Sequence, residues 1–215
     1  MKIVVIGASG FTGSKIAAEL VSRGHEVVGV ARNVDTLAGI DGLTAAAGSI
    51  HDLAFLERVA TGANAVVVAI PGRATETSPA LHEVIKDAAA TVAKVGARLG
   101  VVGGAGSLFT HEGGPRLFDT PEFPAAFAPE AKGVYEVLVQ LQQTPHEIDW
   151  FFVSPAAGYG KHAPGERLGH YRVGGDVVVK DVEGKSFISV NDFAIAFADE
   201  LEAPTHHRVR FTVGY

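Results

Sequence analysis

Three glycines stand at even spacing near the start of the chain, in Gly7-Ala8-Ser9-Gly10-Phe11-Thr12-Gly13. The pattern is GxxGxxG rather than GxGxxG, but the physical demands are similar. Gly7 permits a tight turn, Gly10 lets backbone N–H groups approach an anion, and Gly13 lets a helix pack close to a strand. The N-terminus of that helix adds roughly half a positive charge at the same place. Such a turn suits a pyrophosphate, with the hydroxyls of Ser9 and Thr12 and the backbone of Phe11 beside it. About 20 residues on, where a site for an unphosphorylated ribose would carry a carboxylate, the chain reads Ala31-Arg32-Asn33. A guanidinium pairs with a 2′-phosphate and stacks on adenine, whereas a carboxylate would repel the phosphate. The bland alternative is that Arg32 is a surface arginine. The expected cofactor is NADP(H), with NAD(H) second.

Elements that would hold these residues are legible on either side. An apolar run, Lys2–Ile6, precedes the turn, an amphipathic segment, Thr12–Ser22, follows it, and a second apolar run is Glu26–Ala31. Strand, turn, helix and strand in that order turn a glycine pattern into a binding expectation. Further strands are expected at Leu43–Ala47, Ala65–Ile70, Arg98–Val102 and Asp149–Val153, with helices at Leu53–Ala60, Pro79–Val95 and Pro124–Gln143. Leu43–Ala47 is mostly alanine and is placed by spacing rather than propensity. The alternation predicts an α/β fold, a Rossmann-type doubly wound parallel sheet with right-handed crossovers.

After Val153 the rhythm breaks into short β-like pieces, Gly169–Val173, Val177–Val179 and Phe187–Ser189, before a last helix, Asn191–Leu201, and a last strand, Arg208–Val213. Long irregular stretches in a compact domain are usually functional. Loops 103–123 and 154–190 are therefore read as one small C-terminal substrate lobe on a single domain, 1–215. Asp52 follows the third strand, where it either accepts a hydrogen bond from the adenine amino group or caps the next helix. Ala69, Ile70 and Pro71 end the fourth strand, and Gly103 and Gly104 follow the fifth, where small residues suit close approach of a cofactor.

The 215 residues carry 47% apolar and 20% charged side chains and a formal charge of −6, a globular composition that disfavours nucleic acid as a partner. There is no cysteine, which excludes a disulfide scaffold, a thiolate zinc site and a cysteine nucleophile. The first strand begins at once and no apolar stretch approaches the ~18 residues of a membrane span, so a cytoplasmic protein without a membrane partner is expected. The nine histidines show no HxH or HExxH spacing, and no metal is expected.

The glycine turn and Arg32, the run VVGGAGSL at 101–108, DWFFVSPAAGYGKHAPGER at 149–167 and the tail GKSFISVNDFAIAFADELE with RFTVGY together resemble the atypical short-chain dehydrogenase/reductases. The nearest group is the NAD(P)H-binding, NmrA-like proteins often labelled NADH-flavin reductases, and biliverdin reductase B is similar at the turn and the arginine. The resemblance spans essentially the whole chain and implies a nicotinamide cofactor and a small-molecule substrate. Ordinary members carry Tyr-x-x-x-Lys on the helix after the fifth strand. Here residues four beyond Tyr135, Tyr159 and Tyr171 are Val139, Ala163 and Gly175, and Tyr215 ends the sequence. The remaining candidates for proton chemistry are Ser107 after the fifth strand and Lys132 with Tyr135 on one helix face. The bland reading of that pair is a solvated lysine beside a half-buried tyrosine.

Reduction of a ketone needs a positioned acid, so the missing dyad favours a planar, conjugated acceptor such as a flavin, quinone or tetrapyrrole. Hydride transfer to it mainly needs two rings held in proximity. Phe109, Phe118, Phe123, Trp150, Phe151 and Tyr159 are candidate walls, Trp150 and Phe151 of the sixth strand being more typical of core, and Asp119, Glu122, Glu130 and Glu166 read as solvated loop charges. The alternative is a non-catalytic NADP(H) redox sensor, which alone would need a protein partner. Sugar epimerase or dehydratase chemistry ranks third.

Overall fold

Apolar residues occupy both parities of the central strands, and the fold covers both faces of the sheet. The computed structural model describes residues Met1–Tyr215. In chain order the elements are β1 (Lys2–Ile6), α1 (Phe11–Ser22), β2 (Glu26–Ala31), β3 (Leu43–Ala47), α2 (Leu53–Ala60), β4 (Ala65–Val68), α3 (Ile85–Lys94), β5 (Arg98–Val102), α4 (Ala128–Gln142), β6 (Trp150–Pro155), β7 (Arg172–Gly174), α5 (Val190–Glu202) and β8 (Val209–Gly214). The strands form one sheet in the order β3-β2-β1-β4-β5-β6-β8-β7. Every neighbouring pair is parallel except β7 with β8. This is the Rossmann-type arrangement, extended at one edge.

Alternation along each strand divides the core between the two faces. Ile3, Val5, Val67, Phe151 and Val153 pack with Ile16 and Leu20 of α1 and Phe193 and Phe197 of α5. Val4, Ile6, Val66, Val68, Trp150 and Phe152 pack with Leu56 of α2, Ile85 and Val92 of α3 and Leu138 of α4. Trp150 and Phe151 are fully buried, so both belong to the core and not to a ligand wall. The alanine-rich β3 pairs with β2 alone and is largely exposed, which is why poor strand formers suffice there. No helix is long and apolar enough to cross a membrane.

Several boundaries differ from expectation. β4 stops at Val68 instead of Ile70, because the chain turns away towards Pro71, which has no N–H to give a ladder. The helix expected over Pro79–Val95 begins only at Ile85. Ala80 is extended, a single 3-10 turn spans Leu81–Glu83, and the Glu83 side chain accepts the Ala80 N–H. The helix expected over Pro124–Gln143 starts with a separate turn, Ala125–Phe127, and Pro129 in the first turn of α4 sets its true start. Of the short β-like pieces only Arg172–Gly174 is a strand. Val177 and Phe187 each make one isolated bridge, to Phe109 and Gly158. The bridge of Val177 to Phe109 brings the two expected lobe loops together: Phe109 N–H donates to the Asp176 carbonyl (2.8 Å) and Val178 N–H to the Phe109 carbonyl (3.0 Å).

Candidate functional site

The β1–α1 turn is held by its own amides, Gly7 and Ala8 N–H donating to the Val30 carbonyl and Gly10 N–H to the Gly7 carbonyl, and leaves the first amides of α1 free. Gly7 lies at φ +84°, and a Cβ there would come within 2.5 Å of the Ala69 carbonyl oxygen. A Cβ on Gly13 would meet the Gly7 carbonyl oxygen at 2.2 Å, so only glycine lets α1 start so close to the end of β1. Gly10 caps the helix without a side-chain hydrogen bond. The N–H groups of Phe11, Thr12 and Gly13 find no acceptor in the chain. Unpaired amides at a helix N-terminus form an anion site.

A cavity of about 200 Å³ opens from this turn along the carboxyl ends of the strands. Its lining crosses the sheet from Ile6, Gly7, Ser9 and Gly10 at β1, through Val30, Ala31 and Arg32 at β2, to Gly48, Ser49, Ile50 and His51 after β3. Ala69, Ile70 and Pro71 after β4 form another wall, and Arg73, Thr75, Ser78 and Pro79 close the rim. Two arginines and no carboxylate line it. Ligands of open α/β sheets bind at this edge, and a nucleotide whose phosphates reach the free amides and Arg32 fits the donor set.

Arg32 is exposed and donates to the Thr77 hydroxyl, which draws the 73–79 segment over the cavity. Asn33 is committed elsewhere: its Oδ1 accepts from Asp35 N–H (3.0 Å) and caps a short turn. Asp52 is exposed, lies outside the cavity lining, and accepts the Phe55 N–H at 2.9 Å. Of its two readings, the structure has the helix cap. The Thr12 hydroxyl is also taken, sharing a 2.7 Å hydrogen bond with Tyr159. Burial pushes the Tyr159 hydroxyl's pKa well up, its bond with Thr12 opposing the shift only in part. Tyr159 packs edge-on against Phe11 and so ties the 154–190 loop to the glycine turn.

Gly103 and Gly104 continue the same edge after β5, and a Cβ on Gly103 would strike the Phe152 ring at 2.2 Å. Ser107, in the loop beyond, is buried, with Oγ accepting from Arg210 Nη1 (2.8 Å) and its carbonyl from Arg116 Nη1 (2.6 Å). Arg116 also donates to the Tyr135 hydroxyl (3.1 Å) and lies over both the Tyr135 and Phe109 rings. Lys132 is exposed on α4. The three candidates are thus brought to one region without forming a single contact set. Ser107 and Tyr135 are oriented by arginines, and Lys132 stands apart from them.

Sequence reasoning missed the rim and its support. Glu130, read as a solvated charge, accepts the Gly72 N–H at 2.8 Å, where Gly72 and Gly133 allow the post-β4 loop and α4 to approach backbone to backbone. Pro71, Gly72 and Pro79 bracket this segment and are the signal that marks it as a shaped loop. His51 and Ser49 were signalled only by their position after β3.

Comparison with known proteins agrees with this geometry. A family described as NAD(P)H-binding matches residues 7–204. YwnB of Bacillus subtilis is 41% identical over 228 aligned residues, covering 99% of this chain and 98% of its own. Among solved structures, a candidate epimerase from Bacteroides thetaiotaomicron superposes with a TM-score of 0.87 at 40% identity, covering 100% of this chain and 96% of that one. A candidate NADH-flavin reductase from Streptococcus pneumoniae gives 0.84 at 32% identity, covering 100% and 99%. With its free helix amides, glycine cradle and whole-length relatives, this chain belongs to the family described as NAD(P)H-binding.

Proposed function

We propose that the protein is an NADPH-dependent reductase of a planar, conjugated acceptor, with flavins first and quinones or linear tetrapyrroles next. The observation that carries the cofactor half is the cavity running from the glycine turn at Gly7, Ser9 and Gly10 to Arg32 and Arg73, with no carboxylate on its wall. Phe11, Thr12 and Gly13 N–H groups would hold the pyrophosphate, and Arg32 would hold the 2′-phosphate by charge-assisted hydrogen bonds. The nicotinamide supplies a hydride when bound. The chain's own part is to orient the two rings and exclude water, which is the larger share of what such a transfer needs.

The acceptor half rests on the proton chemistry. The Ser107 and Tyr135 hydroxyls are hydrogen-bonded to Arg210 and Arg116, and no Tyr-x-x-x-Lys pair stands behind them. An acceptor that spreads negative charge over a ring system asks least of such a site, with Ser107, Lys132 or solvent delivering the proton. The pneumococcal relative's description as a flavin reductase supports the same reading. That description specifies NADH, whereas the two arginines here favour NADPH, so both nucleotides belong in the test.

Steady-state oxidation of NADPH and NADH with FMN, a quinone and biliverdin checks the proposal. Turnover is expected with NADPH, exceeding NADH by about 10-fold or more in kcat/KM, with the preference lost in Arg32→Glu. No NADPH oxidation above that variant with any acceptor would reject the reductase. Tight binding of both redox forms without turnover would instead indicate a sensor. Epimerase chemistry, suggested by the Bacteroides relative's description, returns its hydride and gives no net oxidation.

A further inference from the structure

We propose that Phe127 and His162 form a lid over the outer face of the planar acceptor, the nicotinamide lying on its inner face. This rests on the reductase reading above and adds the residues that hold the acceptor. Phe127 is 50% exposed, and no other phenylalanine, tyrosine or tryptophan of the chain is exposed. Aromatics expected to line the acceptor slot are engaged instead: Arg116 lies over Phe109, Phe118 meets Tyr135 edge-on, and Tyr159 packs against Phe11 and Phe193. His162 is also exposed and stacks on Phe127, with ring centroids 5.8 Å apart and planes 19° from parallel.

Each ring is tied to a different wall of the cofactor cleft. Three residues after Phe127, Glu130 accepts the Gly72 N–H (2.8 Å), and Gly72 stands between the cavity-lining Pro71 and Arg73. Three residues before His162, the Tyr159 hydroxyl shares its 2.7 Å hydrogen bond with Thr12, in the first turn of α1. The stack therefore bridges from the loop after β4 to the glycine turn, across the carboxyl edge where ligands of such sheets bind. A tight turn aims the imidazole: Ala163 N–H donates to the Gly160 carbonyl (2.9 Å), and Gly160 lies at φ +143°. A Cβ on Gly160 would come within 2.9 Å of His162 Cε1, so glycine is what lets the ring fold back over the turn.

An open phenylalanine face beside a near-parallel imidazole suits a broad, flat ligand. Covering it removes apolar area from water on both partners, and offset stacking adds to that gain. A small aliphatic carbonyl compound would cover little of either ring. The lid thus selects for a conjugated ring system, and it holds that ring against the nicotinamide, the arrangement hydride transfer needs.

Quenching of FMN fluorescence on titration with the protein saturated with NADP+ reads acceptor binding without turnover. Phe127→Ala is expected to bind FMN about 10-fold more weakly than wild type, and His162→Ala about threefold more weakly. Phe127→Trp restores a broad face and should recover the affinity. NADPH affinity and Tm should not change in Phe127→Ala, because the side chain is half exposed and lies outside the cavity lining. In steady-state reduction the loss should appear in the FMN KM rather than in kcat. A Phe127→Ala protein that binds FMN within twofold of wild type while still reducing it overturns the lid and leaves the reductase standing. FMN binding that depends on Phe127 without any reduction supports the lid and rejects the reductase. Absence of FMN binding to the wild-type complex overturns the lid.

Discussion

Gly13→Ala is expected to weaken NADPH binding by at least about 100-fold and to lower stability by about 1–3 kcal/mol. The added Cβ would lie 2.2 Å from the Gly7 carbonyl oxygen and 2.8 Å from its carbon. Both atoms are backbone at the end of a buried strand and cannot rotate away. Relief requires α1 to shift, and α1 carries the three free N–H groups of Phe11, Thr12 and Gly13. A hydrogen bond to a charged group contributes about 1.5–3 kcal/mol, so misaiming two of them accounts for the predicted factor. Gly39, with nothing within 4 Å of a built Cβ, supplies the control, and Gly39→Ala should leave binding unchanged. Fluorescence titration with NADPH and a thermal melt read both effects. A Gly13→Ala protein that binds within twofold of wild type would mean the turn does not hold the pyrophosphate.

Glu200→Gln should act in the opposite way, reducing stability while leaving nucleotide affinity unchanged. Glu200 is 4% exposed at the end of α5 and pairs with Arg98 Nη2 at 2.8 Å. Arg98 also donates to Asp149 Oδ2 (3.0 Å) and the Glu200 carbonyl (3.0 Å) and lies over the Phe151 ring. One guanidinium thus joins the starts of β5 and β6 to α5 at the edge of the sheet opposite the cavity. Removing one partner of a buried pair costs about 3–5 kcal/mol, or roughly 6–20 °C in Tm for a domain of this size. Burial alone would raise the Glu200 pKa; hydrogen bonds from His206, Arg98 and Thr205 overcome it and hold the carboxyl at about 2, below its usual 4.5. A lowered folded-state value means the contribution is fully present above pH 4.5 and lost as the pH falls through about 2. The stability gap between wild type and Glu200→Gln should therefore close in strong acid, as the pH falls through about 2. A gap that persists below that pH would contradict the ion pair.

These two sites differ in how plainly the sequence announces them. Gly13 is legible because a strand, turn and helix signal themselves locally, by apolar runs and glycine spacing, and β1, α1 and β2 fall almost where those signals put them. Arg98 and Glu200 stand far apart in the chain and meet only through the sheet order. The same holds for Thr12 with Tyr159, Arg32 with Thr77 and Glu130 with Gly72. Contacts between loops that are distant in sequence leave no periodicity to read.

Within the site, one residue shows the limit well. An acid three residues before Phe55 satisfies both an adenine contact and a helix cap, and spacing cannot separate them. The 2.9 Å bond to the Phe55 N–H makes Asp52 a cap. The C-terminal loops were legible as irregular but not in detail. Their single-residue bridges, Phe109 with Val177 and Gly158 with Phe187, are set by tertiary pairing rather than by β propensity.

The central claim is that the turn and Arg32 together hold a 2′-phosphorylated adenosine. Calorimetric titration with 2′,5′-ADP and with 5′-AMP tests it most directly, because the two ligands differ only in the 2′-phosphate. The structure predicts that 2′,5′-ADP binds about 10- to 100-fold more tightly, the worth of one charge-assisted contact to a guanidinium. Equal affinities for the two nucleotides would contradict it.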